Sequence, residues 1–260
     1  MADGGITKGS RWSRLETLAA FNLYSRTPFG RLHSKNPDIV ELASWLGRTP
    51  SSVAMKCVNL ASLDPAVQAA GKSGLRGVSN LDREIWNEFM ADPEDVGFES
   101  ELAYASMAAV EPRMLPPSER AMDAVVTDKL AIKKVRVTQH LFRDMVLSSY
   151  DAQCAICTLS VPQLLIASHI VGWSVDAAHR MNPRNGICLC SLHDRAFDTG
   201  MLDIDERCII HITDKCTASR QHRVAKEMLF RFDGEGITMP NRWHPDPALL
   251  TARRQHLGIA

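Results

Sequence analysis

Three residues with usable chemistry stand at the junctions of one short segment: His169, Asn185 and His193. An apolar run, Leu164-Leu165-Ile166-Ala167-Ser168, ends in His169, and an irregular polar loop follows. A second run, Ile187–Cys190, then leads to a helix expected to begin near Ser191, which can cap it. The order is strand, loop, strand, helix. A neutral imidazole accepts a proton from water near pH 7, which suits His169 to general-base work. Asp194 and Asp198 lie i, i+4 on the expected helix, so their carboxylates share a face and can bind a hard cation. Arg184 and Arg195 flank the same junctions, and guanidinium groups suit phosphate oxygens. His179, His211, His222 and His244 have no such setting and read as ordinary structural histidines.

Cysteines offer a second metal chemistry. Cys154 and Cys157 form a C-x-x-C pair, and Cys188 and Cys190 lie on one face of the second strand. Zinc takes about four thiolate or imidazole donors in a tetrahedron. Two sets are open: Cys154, Cys157, Cys188 and Cys190, or Cys154, Cys157 and Cys190 with His193. The second competes with any use of His193 on a catalytic cation. The plain alternative is a cluster of buried, reduced thiols acting as small hydrophobes. Cys57, Cys208 and Cys216 read as structural.

The succession Ser168-His169-Ile170, Asn182-Pro183-Arg184-Asn185-Gly186 and Leu192-His193-Asp194-Arg195-Ala196-Phe197-Asp198 resembles the HNH (ββα-metal) endonucleases, in their bacterial restriction and defence branch. The resemblance covers 137–205 and extends more weakly to 250, through a tail with Pro240, Pro245 and the region of His256. It implies a metal-dependent endonuclease that hydrolyses phosphodiesters of double-stranded DNA, leaving 5′-phosphate and 3′-hydroxyl ends. By that resemblance His169 is the general base, His193 a ligand of a magnesium or manganese ion, and Asn185 the residue that pins the loop carrying His169. Asp194 or Asp198 supplies a further metal contact, and Arg184 and Arg195 bind the substrate phosphate. Many HNH sites carry an acidic or histidine ligand just before the base, where this chain has Ser168, a poor ligand for a hard cation. That departure leaves room for a rival, a catalytically weak or silent HNH fold serving as a DNA-binding or regulatory protein. Duplex cutting by one site per chain favours a homodimer.

The elements that must position these residues divide the chain into two parts. The fold class expected is α+β: a mainly helical N-terminal domain followed by an HNH ββα-metal nuclease domain. Residues 11–62 read as helical, with Leu15, Leu18, Ala19 and Leu23 at helical spacing. A helix over Asp38–Leu46, a turn at Gly47, and a helix opened by Thr49-Pro50 form a helix-turn-helix candidate. Its DNA-facing surface would be Arg48, Ser51, Ser52 and Lys56; a packing hairpin is the plainer reading. After a stretch at 64–80 rich in Gly, Ser and Ala, a short helix runs through Leu81, Ile85, Trp86 and Phe89. The domains are expected at 1–91 and 129–260, joined by a linker at 92–128 marked by Pro116-Pro117-Ser118 and partly helical near 99–110. Alternation at Ile132–Val137 reads as a strand, within a basic run of Lys129, Lys133, Lys134, Arg136 and Arg143 that suits backbone phosphates. A helix with Phe142, Val146, Leu147 and Tyr150 follows.

Bulk properties limit the classes. At 260 residues, 45% apolar and 23% charged, the composition is that of an ordinary globular protein. No apolar run approaches the roughly 20 residues of a membrane span. Met1-Ala2-Asp3-Gly4-Gly5 lacks the regions of a secretory signal, so the expectation is a cytoplasmic protein. Seven cysteines, an odd number, argue for free thiols or metal ligands rather than a disulfide framework. Net charge is zero, so any affinity for DNA must come from local clusters.

Overall fold

The computed structural model describes residues 10–71, 77–110, 112–114 and 129–259. The chain forms two compact units, Met1–Ser148 and Ser149–Ala260. Helices fill the first, and small antiparallel sheets with short helices make the second, so the fold class is α+β.

The first unit is built on α1 (Arg14–Arg26), in which every residue from Thr17 to Ser25 is buried. A helix enclosed on all sides needs no polar face, and this one has none in its middle turns. A capping box of Ser13 and Glu16 starts it. Asn22, in its centre, donates through Nδ2 to Glu101 Oε1 at 2.9 Å and Ser100 Oγ at 3.3 Å, which satisfies the donor half of a polar group in an apolar core. Packed against α1 are α2 (Pro37–Trp45), α3 (Pro50–Ala61), α5 (Asn80–Ala91) and α6 (Pro93–Ala108), and the unit also holds α4 (Pro65–Ala69) and most of α7 (Lys129–Ser149).

Between α2 and α3 the turn has a simple origin. Gly47 takes φ +61°, and the Arg48 amide reaches back to the Ala43 carbonyl at 2.9 Å, a Schellman stop. Thr49 Oγ1 then accepts from Ser52 N and Pro50 opens α3. The proposed DNA-facing surface needs correction, because two of its members are inside. Arg48, 8% exposed, pairs with Glu16 at 2.9 Å and stacks over Trp12. Lys56, 5% exposed, pairs at 2.5 Å with the fully buried Asp82. What α3 shows to solvent is Ser51 and Met55, with Ser52 half-buried.

Two other expectations change. The first part of the expected linker, read as partly helical only near 99–110, is the longer helix α6, Pro93–Ala108, capped by Asp92 and packed on α1 and α5. Pro116-Pro117-Ser118 lies outside the described residues. Ile132–Val137 is helix, not strand, because it belongs to a longer pattern. Val137, Leu141, Phe142, Met145 and Val146 are buried at a helical period, which outweighs six residues of alternation. Within α7, Lys134 is paired with Asp95 of α6, so that cation is not a spare phosphate contact.

In the second unit β1 (Leu165–His169) pairs antiparallel with β2 (Gly186–Cys190), in a register that sets His169 opposite Gly186 and Leu165 opposite Cys190. α8 (Ser191–Asp198) follows β2 without a loop. Ser191 is its first residue rather than its cap, since the hydroxyl donates to the Leu164 carbonyl. A second hairpin, β3 (Leu202–Ile204) and β4 (Ile210–Ile212), then α9 (Arg223–Met228) and α10 (Pro247–Leu257), complete the unit. Thr238 N donates to the Ala155 carbonyl at 2.7 Å and Asp246 N to the Arg184 carbonyl at 3.0 Å, so the tail is tied to both loops around the hairpin.

Candidate metal centre and active site

Four side chains converge where the Cys154 turn meets the start of α8: Cys154, Cys157, Cys190 and His193, their donor atoms all within 4.8 Å of one another. Cys190 Sγ and Cys154 Sγ lie 3.2 and 3.5 Å from His193 Nδ1, and Cys157 Sγ is 3.9 Å from Cys190 Sγ. A tetrahedral zinc with ordinary bond lengths needs edges of roughly 3.5–3.8 Å between such donors. The arrangement therefore fits zinc. His193 Nε2 donates to the Met228 carbonyl at 2.8 Å, the outer hydrogen bond that fixes a ligating imidazole with Nδ1 toward the metal. Crowding affects the thiols in opposite senses. Hydrogen bonding with Cys190 holds Cys154 below its ordinary pKa, while the same contact and burial push Cys190 up to about 11. A cation shared by all the sulfurs would remove that competition.

Of the two sets read from the sequence, the one with His193 assembles and the four-cysteine set does not. Cys188 is one two-residue step, about 6.6 Å, back along β2, fully buried opposite Ala167, and its sulfur is not among the converging atoms. The spacing C-x-x-C followed by C-x-x-H, Cys190-Ser191-Leu192-His193, is the signal that marks this set. Both nitrogens of His193 are thus engaged, one on the sulfurs and one on Met228, which leaves neither for a second, catalytic cation.

His169 stands at the end of β1, half-buried, with its ring edge-on to Trp173 at 5.8 Å. Its Nε2 is 3.0 Å from the Arg180 carbonyl. A carbonyl only accepts, so Nε2 carries the proton and Nδ1 is the basic nitrogen of the neutral ring. Burial pushes the His169 pKa down to about 4, so the ring is neutral at pH 7. Arg180 is itself fixed, its Nε donating to the Trp173 carbonyl at 2.8 Å.

Asn185, fully buried, closes the loop between the strands. Its Oδ1 accepts from Val171 N at 2.8 Å, and its Nδ2 donates to the Val171 and His179 carbonyls, both at 3.1 Å. Its main-chain carbonyl accepts from Ile170 N at 2.9 Å. Asn185 therefore holds the residues just after His169 through both its side chain and its main-chain carbonyl. On α8, Asp194 is buried and Asp198 exposed, so the i, i+4 pair shares a face but not an environment. Arg195 is exposed. Arg184 bonds the tail, with Nη2 3.2 Å from Asp246 and Nε 3.3 Å from the His244 carbonyl.

Arg253 was not singled out in the sequence. It is 8% exposed, donates to the Ile170 carbonyl at 3.2 Å and to the Phe197 carbonyl, and stacks 3.6 Å over the Phe197 ring. It links the segment after β1 to the end of α8. Its signal was present: Arg253 follows Leu249 and Leu250 at helical spacing, a cation on the apolar face of α10.

Residues 154–205 match the family model of an HNH endonuclease. No curated protein and no solved structure gives a match. An HNH endonuclease domain thus lies C-terminal to a helical region. Among the described residues no helix is long and apolar enough to cross a membrane.

Proposed function

We propose that this chain is a metal-dependent endonuclease that cuts double-stranded DNA, in restriction or defence against foreign DNA. The observation that carries the reading is the setting of His169: a neutral imidazole with its tautomer fixed by Arg180, on a loop fixed by Asn185, within the span that matches HNH endonucleases. In this role Nδ1 of His169 takes the proton from the attacking water, and the low pKa keeps it ready to do so at neutral pH.

Two different metals follow from two donor sets. The sulfur-rich set of Cys154, Cys157, Cys190 and His193 suits structural zinc. The hard oxygens of Asp194 and Asp198 suit magnesium or manganese, now without help from His193. Such a cation supplies charge relief to the phosphate and the departing oxygen. In this reading Arg195, exposed on α8, binds the substrate phosphate, while Arg184 acts through the loop it ties to Asp246. One site per chain calls for two copies to cut both strands.

The test is plasmid cleavage with magnesium or manganese, by the wild-type chain and by His169→Ala. Cutting by the first and not the second supports the reading; equal cutting removes His169 from the mechanism. The engagement of His193 by sulfur favours one alternative, a catalytically silent HNH fold that binds DNA. Absence of cutting on modified and unmodified DNA alike, with retention on a gel, is its signature.

A further inference from the structure

The N-terminal unit holds an open cleft of about 630 Å³, within the range of small-ligand sites. Two rings form one corner of it: Trp45 of α2 and Tyr104 of α6 meet at 78° with centroids 5.5 Å apart. The Arg26 guanidinium lies over the Tyr104 ring, 3.9 Å from its centroid, and burial lowers its pKa. Among the described residues its side chain makes no hydrogen bond or ion pair, and neither does that of Arg31, exposed on the same cleft. Arg113 shows the contrast: it also lines the cleft, but Glu101 at 3.1 Å and Asp144 at 3.0 Å hold it. Two cations are thus left without an anionic partner among the described residues, beside an aromatic corner. Asp38 and Glu41 of α2 line the cleft as well, as exposed acceptors.

Each feature selects part of a ligand. Unpaired guanidinium groups select an anion, preferably a phosphate. An aromatic corner selects a planar group that stacks. Carboxylates select N–H donors at that group's edge. The geometry points to a site for one nucleotide: phosphate on Arg26 and Arg31, base in the Trp45–Tyr104 corner, and an amino-bearing base edge toward Asp38 or Glu41. The nucleotide can be free, or it can be a residue turned out of a DNA strand. An exocyclic amine offers a carboxylate two N–H donors where thymine offers only its ring N3–H, so thymine is the weaker ligand from either source. The site does not depend on cleavage and stands or falls separately from the nuclease reading.

The experiment is calorimetric titration of the full chain, without added magnesium or manganese, using dAMP, dCMP, dGMP, TMP and inorganic phosphate. In parallel, a duplex with one unpaired cytosine is compared with its fully paired counterpart. Saturable binding of an amino-bearing mononucleotide, with TMP and phosphate about tenfold weaker or more, supports a free nucleotide. Preference of about tenfold for the unpaired duplex, without binding of mononucleotides, supports the DNA source. Either signal must weaken about tenfold in Arg31→Gln, whose exposed side chain leaves folding intact, and in Trp45→Leu. Absence of both signals, or a signal that Arg31→Gln leaves unchanged, overturns the site.

Discussion

The Cys190 sulfur lies 3.2 Å from Nδ1 of His193, and Nε2 of the same ring lies 2.8 Å from the Met228 carbonyl. A histidine that the motif offers for a catalytic cation is here held by sulfurs on one side and by a main-chain carbonyl on the other. The consequence concerns what kind of damage its removal does.

Purified protein should contain about one zinc per chain, by elemental analysis. His193→Ala should lose it, together with the outer bond to Met228, and lower the melting temperature of the C-terminal unit by about 10 °C or more. DNA binding and cutting should then fail together. Loss of cutting alone, with full zinc content and unchanged melting, would return His193 to the catalytic cation. Cys188→Ser should keep the zinc, because its sulfur stands outside the cluster.

His169→Ala should slow cleavage by about 100-fold or more while leaving melting and DNA binding near wild type. The pH profile is the more specific check. Burial lowers the pKa of His169 to about 4, so the basic form is complete at pH 7 and is lost only as pH falls through 4. The acid limb of kcat/KM should therefore lie well below the ordinary imidazole value of about 6.5. A limb at 6.5 that persists in single-turnover cleavage would show that His169 is not the titrating base.

The order of the elements from His169 to α8 was legible because it depends on local chemistry. An apolar strand ending in His169, a polar loop closed by Asn185 and a strand leading into α8 are written as consecutive short patterns. The role of His193 was legible only as one of two alternatives, since the choice between Cys188 and His193 depends on which donors lie within reach of Cys154 and Cys157. Arg48 and Lys56 looked like surface cations for a related reason. Their acidic partners, Glu16 and Asp82, are 32 and 26 residues away, and nothing in the α3 sequence announces them. The helix over Ile132–Val137 shows the opposite fault, a short period read without the longer one that contains it.

Asn185→Ala should separate loop order from fold. It removes the amide contacts to Val171 and His179 and strands a buried N–H and two carbonyls. A cost of about 2–4 kcal/mol in urea unfolding follows from such orphaned groups. Cleavage should fall further than that stability loss explains, because Val171 lies two residues beyond the base. Asn185→Asp keeps the acceptor and loses the donors, so it should remain defective. Wild-type cleavage by Asn185→Asp would show that the donor half of the amide is idle.

Lys56 and Asp82 test whether α3 is held by a buried charge pair or merely decorated by one. Their ion pair is 2.5 Å long, and both side chains are almost wholly out of water. Removing one partner leaves a charge that water cannot reach, so Lys56→Met alone should cost about 3–5 kcal/mol. Removing both charges should restore much of that, because no buried charge is then left without a counter-ion. Asp82 also accepts from Ser79 N in the cap of α5, so Asp82→Asn keeps the cap acceptor and suits the double variant with Lys56→Met better than Asp82→Leu. If the single and double variants unfold at the same urea concentration, the two charges are not coupled, and α3 is held by its apolar packing instead.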